Sequence, residues 1–76
     1  MIELIEFIVK ELVTDKDKVV VTSADSESET VITIRVDEKD VGKIIGRQGK
    51  IAMAIRTIAK AVGIKEGKRY TVEIED

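Results

Sequence analysis

The 76-residue chain contains no cysteine and no histidine. Without thiols there is no disulfide framework, no thiolate zinc site and no cysteine nucleophile. Without imidazole, every mechanism built on a histidine base is excluded. Aromatic residues are nearly absent: Phe7 and Tyr70 are the whole complement, with no tryptophan, and both fit core positions. Two such residues cannot supply the base-stacking platform that RRM and OB-fold modules need. Long apolar runs are missing too. The longest stretch without a charge is six residues, Val19 to Ala24, where a membrane helix needs about 20, so no membrane insertion is expected. Glu3 and Glu6 stand where a secretory signal would need a basic and then an apolar segment. The expected address is the cytoplasm, which the lack of cysteine permits.

An enzyme is not expected. Ser23, Ser26 and Ser28 lie in or beside a polar turn with no histidine to activate them. The carboxylates are scattered, without two poised on one wall. No metal and no cofactor is predicted.

What the chain does have is 43 % hydrophobic and 37 % charged residues, the balance of a soluble globular fold. A chain this short makes one domain, residues 1–76, that buries only about 60 % of the surface its unfolded form exposes. The net charge of −2 hides a strong segregation. Residues 1–40 carry five basic against eleven acidic side chains, a net −6, and residues 41–69 carry eight basic residues against Glu66 alone, a net +7. Such a block can present a positive face to an anionic partner on an acidic protein.

Periodicity gives the element order. Ile5, Ile8, Val9 and Leu12 follow helical spacing over residues 2–13. Lys18 to Ser23 and Thr30 to Val36 read as strands joined by the acidic turn Ala24 to Glu29, with Ile32, Ile34 and Val36 on one face. Asp37 opens a short helix that runs into Ile44-Ile45-Gly46, and Asp40 favours the positive end of its dipole. A longer helix restarts near Gly49 and runs to Val62, burying Ile51, Ile55, Ile58 and Val62, with Gly63 as its cap. Tyr70, Val72 and Ile74 alternate inward on a last strand over residues 69–75. The expectation is a two-layer α+β domain of order α-β-β-α-α-β, with a three-stranded sheet covered by helices on one face.

One segment carries unusual chemistry, Val41-Gly42-Lys43-Ile44-Ile45-Gly46-Arg47-Gln48-Gly49-Lys50-Ile51. Gly46 and Gly49 bound two long polar residues between two helices, so the chain can reverse there and another backbone can approach closely. The unpaired amides that open the second helix, with Lys43, Arg47 and Lys50 around them, suit a phosphodiester. A Walker loop fails on spacing, because Gly42 and Gly46 enclose three residues where it needs four. A Rossmann turn fails as well, since Gly-x-Gly occurs nowhere. Gly-x-x-Gly between helices is the clamp with which KH domains hold about four nucleotides of single-stranded nucleic acid. Alone it is a weak pattern that a helix–helix turn also produces.

Within this frame Arg47 and Gln48 are the leading contacts, and Lys43 and Lys50 would position phosphates without reading sequence. Gly42 would let nucleotides lie against the first helix, or is simply a tolerated helix glycine. Ile45 and Ile51 either line an apolar floor for bases or pack in the core. Arg35 would reach a groove only if its strand borders one, and Arg56 and Lys60 read as a solvated stripe.

Ile44-Ile45-Gly46-Arg47-Gln48-Gly49-Lys50-Ile51 resembles the Ile-Gly-x-x-Gly-x-x-Ile core of KH domains, with the last isoleucine one residue closer to the second glycine. The element order resembles the type II, prokaryotic KH arrangement. Ile-Glu-Phe-Ile-Val-Lys, Asp-Val-Gly-Lys-Ile-Ile-Gly, Ala-Ile-Arg-Thr-Ile and Arg-Tyr-Thr-Val-Glu-Ile together resemble the small bacterial single-KH proteins of the KhpA (YlqC) family over essentially the entire chain, although the chain has no proline. The resemblance implies single-stranded RNA binding in post-transcriptional regulation or as an RNA chaperone. It also implies a homodimer, or a heterodimer with a Jag-type KH protein. Ala54, Thr57, Ile58 and Ala61 share one flank of the long helix and would suit such a contact, unless the two alanines pack under the first helix. A different class of reading keeps the same fold as an interaction module whose RNA contact is supplied mainly by a partner.

Overall fold

A computed structural model describes residues 1–75. Helix α1 (Ile2–Leu12) leads into strand β1 (Val20–Asp25), which turns back as β2 (Thr30–Arg35). Helices α2 (Val41–Ile45) and α3 (Lys50–Glu66) follow, and strand β3 (Tyr70–Glu75) closes the chain. The sheet order is β1-β2-β3. β1 and β2 are antiparallel, with Val21 opposite Ile34, and β3 joins β2 in parallel, with Val72 beside Ile32. This is the α+β, α-β-β-α-α-β order of a type II KH fold.

The period of two along the strands produces the two layers. Val19, Val21, Ile32, Ile34, Val36 and Val72 are buried on one face and meet Ile5 and Val9 of α1, Ile44 of α2, and Ile55 and Ala59 of α3. Five isoleucines (Ile5, Ile32, Ile34, Ile44, Ile55) are essentially inaccessible to solvent. Truncating any of them to alanine removes buried area and leaves a cavity, at a cost of about 2–5 kcal/mol.

The structure departs from the sequence expectations where local geometry overrides periodicity. β1 begins at Val20 instead of Lys18, because Lys16–Lys18 close a 3-10 turn. Phe7 is not a core residue but 65 % exposed. It lies two residues from Ile5, about 200° around the helix, and so faces water. On α3 the buried residues are Ala52, Ile55, Ala59 and Gly63, while Ile51 and Val62 are only half-buried and Ile58 is 37 % exposed. The small residues carry the contact and let the helix sit close to the sheet. Gly63 is therefore not the cap. A Cβ there would lie 2.6 Å from the Lys68 carbonyl oxygen. The helix runs on to Glu66 and ends at Gly67 (φ 71°), where Lys68 N donates to Gly63 O (2.8 Å) and Gly67 N to Ile64 O (3.4 Å). These are the two bonds of a Schellman turn.

Candidate nucleic-acid interface

Helix α2 closes with Gly46 N donating to Gly42 O (2.9 Å), after which the backbone turns sharply at Gly46 (φ 77°, ψ 174°). That combination is open essentially to glycine alone. Space forbids a side chain there as well, because a Cβ would lie 2.7 Å from Cγ1 of Ile51. Gln48 (φ 57°, ψ 24°) and Gly49 (φ 75°, ψ 14°) are both left-handed, and Gln48 is the only non-glycine residue with positive φ among the described residues. A left-handed glutamine is uncommon and costs about 1–2 kcal/mol. The strain sits at the loop tip, where Gln48 is exposed beside Arg47.

Two left-handed residues in succession feed directly into α3, so the positive end of its dipole faces the loop, while Gly49 N donates to Gly46 O (3.1 Å) and Lys50 N to Arg47 O. Arg47 and Lys50 are exposed on either side, and the ion pairs among the described residues involve neither. Ile51 packs beneath Gly46 and against the core, while Ile45 remains 36 % exposed beside the loop. Gly42 is exposed, with nothing within 4 Å of a Cβ placed there.

Lys43 sits differently from Arg47 and Lys50. Its ammonium donates to Asp40 Oδ1 (3.1 Å) and to the Thr14 hydroxyl, so it is tied to the connector between α1 and β1. Asp40 is fully buried and is the only charged residue in the interior among the described residues. Its carboxylate accepts Asp15 N on Oδ2 (3.0 Å) and Thr14 N on Oδ1 (3.1 Å). The Asp15 N–H foremost, then the Thr14 N–H and the Lys43 ammonium, hold this carboxyl well below the usual carboxylate range, against burial, which pushes it up. Nothing in the sequence distinguishes this aspartate from its exposed neighbours. Asp37, by contrast, accepts Lys39 N (3.2 Å) and caps a 3-10 turn over Glu38–Asp40, one turn before α2 begins.

The structure also has a groove that sequence reasoning missed. It lies between α3 and β3, has a volume of about 620 Å³, and is lined by Arg56, Lys60, Ile64, Lys68, Tyr70 and Val72 among others. Arg56 is not a free solvated side chain, because its Nε donates to Val72 O (3.2 Å). Tyr70 donates its hydroxyl to Glu66 (2.6 Å), and that carboxylate raises the phenol above its ordinary pKa. Arg35 turns away to the open sheet face and pairs with Glu75. On the flank of α3, Ala54, Thr57, Ile58 and Ala61 are all exposed, so the alanines do not pack under α1.

Comparison with known proteins agrees with this architecture. Residues 2–74 match the family model described as KhpA/KhpB, KH domain. "RNA-binding protein KhpA" of Aquifex aeolicus is 51 % identical over 72 residues, 95 % of this chain and 91 % of the relative. The protein of the same name from Borreliella burgdorferi is 51 % identical over 75 residues, covering 99 % and 92 %. That from Clostridium acetobutylicum is 46 % identical over 74 residues, covering 97 % and 99 %. No solved structure gives a significant match.

Proposed function

The chain belongs to the KhpA/KhpB KH-domain family, and on that premise we propose that it binds single-stranded RNA, clamping the phosphate backbone at Gly46-Arg47-Gln48-Gly49. The observation that carries this reading is the loop itself. Its backbone is bent at Gly46, Gln48 and Gly49 so that an exposed arginine and an exposed glutamine stand directly before the N-terminal end of α3. A helix dipole favours an anion without reading sequence, and Arg47 and Lys50 add the charge that attracts a polyanion. Lys43, committed to Asp40, contributes to the local field more than to a direct contact. Ile45 offers an apolar surface next to the clamp.

Such a protein would act in the cytoplasm as a post-transcriptional regulator or RNA chaperone, without chemistry of its own. Aromatic stacking contributes about 1–3 kcal/mol per base where it occurs. With no aromatic platform, one domain should bind no tighter than about micromolar. A second reading, pairing with another copy or with a Jag-type KH protein, draws on the exposed flank of α3.

Replacing Arg47 and Gln48 together by aspartate tests the clamp. Binding to a single-stranded RNA should fall at least about tenfold, or about 1.4 kcal/mol. The circular dichroism spectrum and melting temperature should stay near wild type, since both side chains are outside the core. Undiminished binding by a folded double mutant would reduce the loop to a turn and leave the interaction-module reading in its place.

A further inference from the structure

The two most exposed large apolar side chains among the described residues are Ile64 and Phe7, and they stand on helices of opposite charge. Phe7 has Glu3 four residues before it and Glu11 four residues after it, the spacing of helical neighbours along α1. Both acids are exposed, and neither enters an ion pair among the described residues. Lys10 is the one cation on this helix, and it is already paired with Glu6 (3.3 Å). Leu4, also exposed, extends the apolar surface around Phe7.

Ile64 carries the opposite rim. Lys60 stands four residues before it, and Lys68 four residues after it, just past the end of α3. Both lysines are exposed and outside the ion pairs among the described residues. With Ile64 they line the groove of about 620 Å³, which Tyr70 and Val72 complete with apolar surface. Arg56 and Arg69 add positive charge to that lining, against Glu29 as its one acid. Such a groove has room for an aromatic ring and favours one that arrives with carboxylates beside it.

Charge decides which surface can cover which. Across a two-fold axis the α1 patch would set its acids against their own copies, and the Ile64 patch would set lysine against lysine. Each patch instead complements the other, with the same four-residue spacing on both sides of an apolar centre. Both are exposed, so neither is covered within its own chain. We propose that this face of α1 docks into the groove between α3 and β3 of a second copy, with Phe7 against Ile64, and Glu3 and Glu11 facing Lys60 and Lys68. The contact is heterologous: each copy keeps one free patch, so association continues as an open chain or closes as a ring. It engages α1, which a pairing through Ala54, Thr57, Ile58 and Ala61 leaves free, and it does not require RNA.

A contact anchored by one aromatic side chain is small, so dissociation is expected on the order of hundreds of micromolar. Sedimentation of the full chain without RNA, at about one millimolar, should therefore show a mean mass above twice that of the monomer. Reversing either rim, by Glu3→Lys with Glu11→Lys or by Lys60→Glu with Lys68→Glu, should weaken this association at least about tenfold. An equal mixture of the two reversed proteins should recover it, as should one chain carrying all four changes, because opposite rims meet again. Phe7→Ser should abolish it, in the wild-type chain and in the mixture alike. All five positions are exposed, so the variants should melt near wild type. Wild type alone supplies a second measurement, since salt at about 1 M shortens the screening length to about 3 Å and should return the chain to smaller species. A mean mass that stops at the dimer, or association that survives reversal of Glu3 and Glu11, overturns the docking. Association indifferent to salt overturns it too. So does a mixture that still associates without Phe7, since charge attraction then acts without a seated side chain.

Discussion

Gly46 and Gly49 bound the same four-residue loop, yet they are glycines for different reasons. Gly46 has an extended ψ at positive φ and the Ile51 side chain directly against its α-carbon. Gly49 is merely left-handed, with open space around it. Gly46→Ala should therefore destabilise the fold by about 2–4 kcal/mol, from backbone strain together with the clash against Ile51. Gly49→Asn should cost less than about 1 kcal/mol, because asparagine tolerates the left-handed region. Urea unfolding of the two variants measures this, and equal losses would mean that the loop does not have the conformation described. The spacing of the two glycines was legible in the sequence. Their inequality was not, because it depends on ψ and on where the isoleucine that follows Gly49 by two residues folds back. Phe7 shows the opposite error: chemistry suggested burial, and the helical phase set by Ile5 and Val9 placed it in water.

On the α2 side of the glycine loop, two elements are joined by the buried carboxylate of Asp40. It ties the connector after α1 to the turn that opens α2, through two backbone amides and the Lys43 ammonium. The strands, their inward faces and the helix order could all be read from period-two and period-3.6 patterns, because the core is built almost entirely of isoleucine, valine and alanine. The latch could not, since a carboxylate among charged neighbours carries no mark of burial. Its energetic signature is a pH dependence. The folded pKa of Asp40 lies below its unfolded value of about 3.9, so the stability it contributes is fully present above about pH 4 and is lost as pH falls toward the folded value. The melting temperature should hold steady from pH 7 to about 5 and drop below pH 4. Asp40→Asn keeps the shape but places an NH₂ group against a backbone N–H, and should lower the melting temperature at pH 7 by about 10 °C. It should also flatten the drop below pH 4. An unchanged acid limb in that variant would move the titrating group elsewhere. By the same logic, α3 ran a turn past its expected end because Gly63, which looks like a cap by composition, is a contact residue, and Gly67 supplies the left-handed turn.

At the scale of the molecule, the charge segregation and the open flank of α3 bear on how many clamps act together. Ala54, Thr57, Ile58 and Ala61 are exposed along one side of a 17-residue helix, and Ile64, 74 % exposed, continues that side toward its end. The Thr57 hydroxyl donates back to Met53 O (2.9 Å). Two alanines and a short threonine would let a second helix approach closely, and Ile58 would sit at the centre of a two-fold contact. Pairing there would link two weak clamps, and linkage raises avidity without a new contact to RNA. The earlier alternative, that the alanines pack inside their own chain, does not hold in the structure. Sedimentation should therefore find a species of twice the 8.4 kDa monomer mass, with dissociation on the order of tens of micromolar, about −6 kcal/mol. Ala61→Glu should return it to monomer, since each new carboxylate would face its own copy across the axis. Because position 61 is exposed, the variant should melt like wild type. It should also bind a long RNA more weakly than wild type while binding a four-nucleotide RNA equally well. A wild type that stays monomeric at millimolar concentration would remove the contact, and the groove and clamp of a single chain would then have to account for all of the affinity.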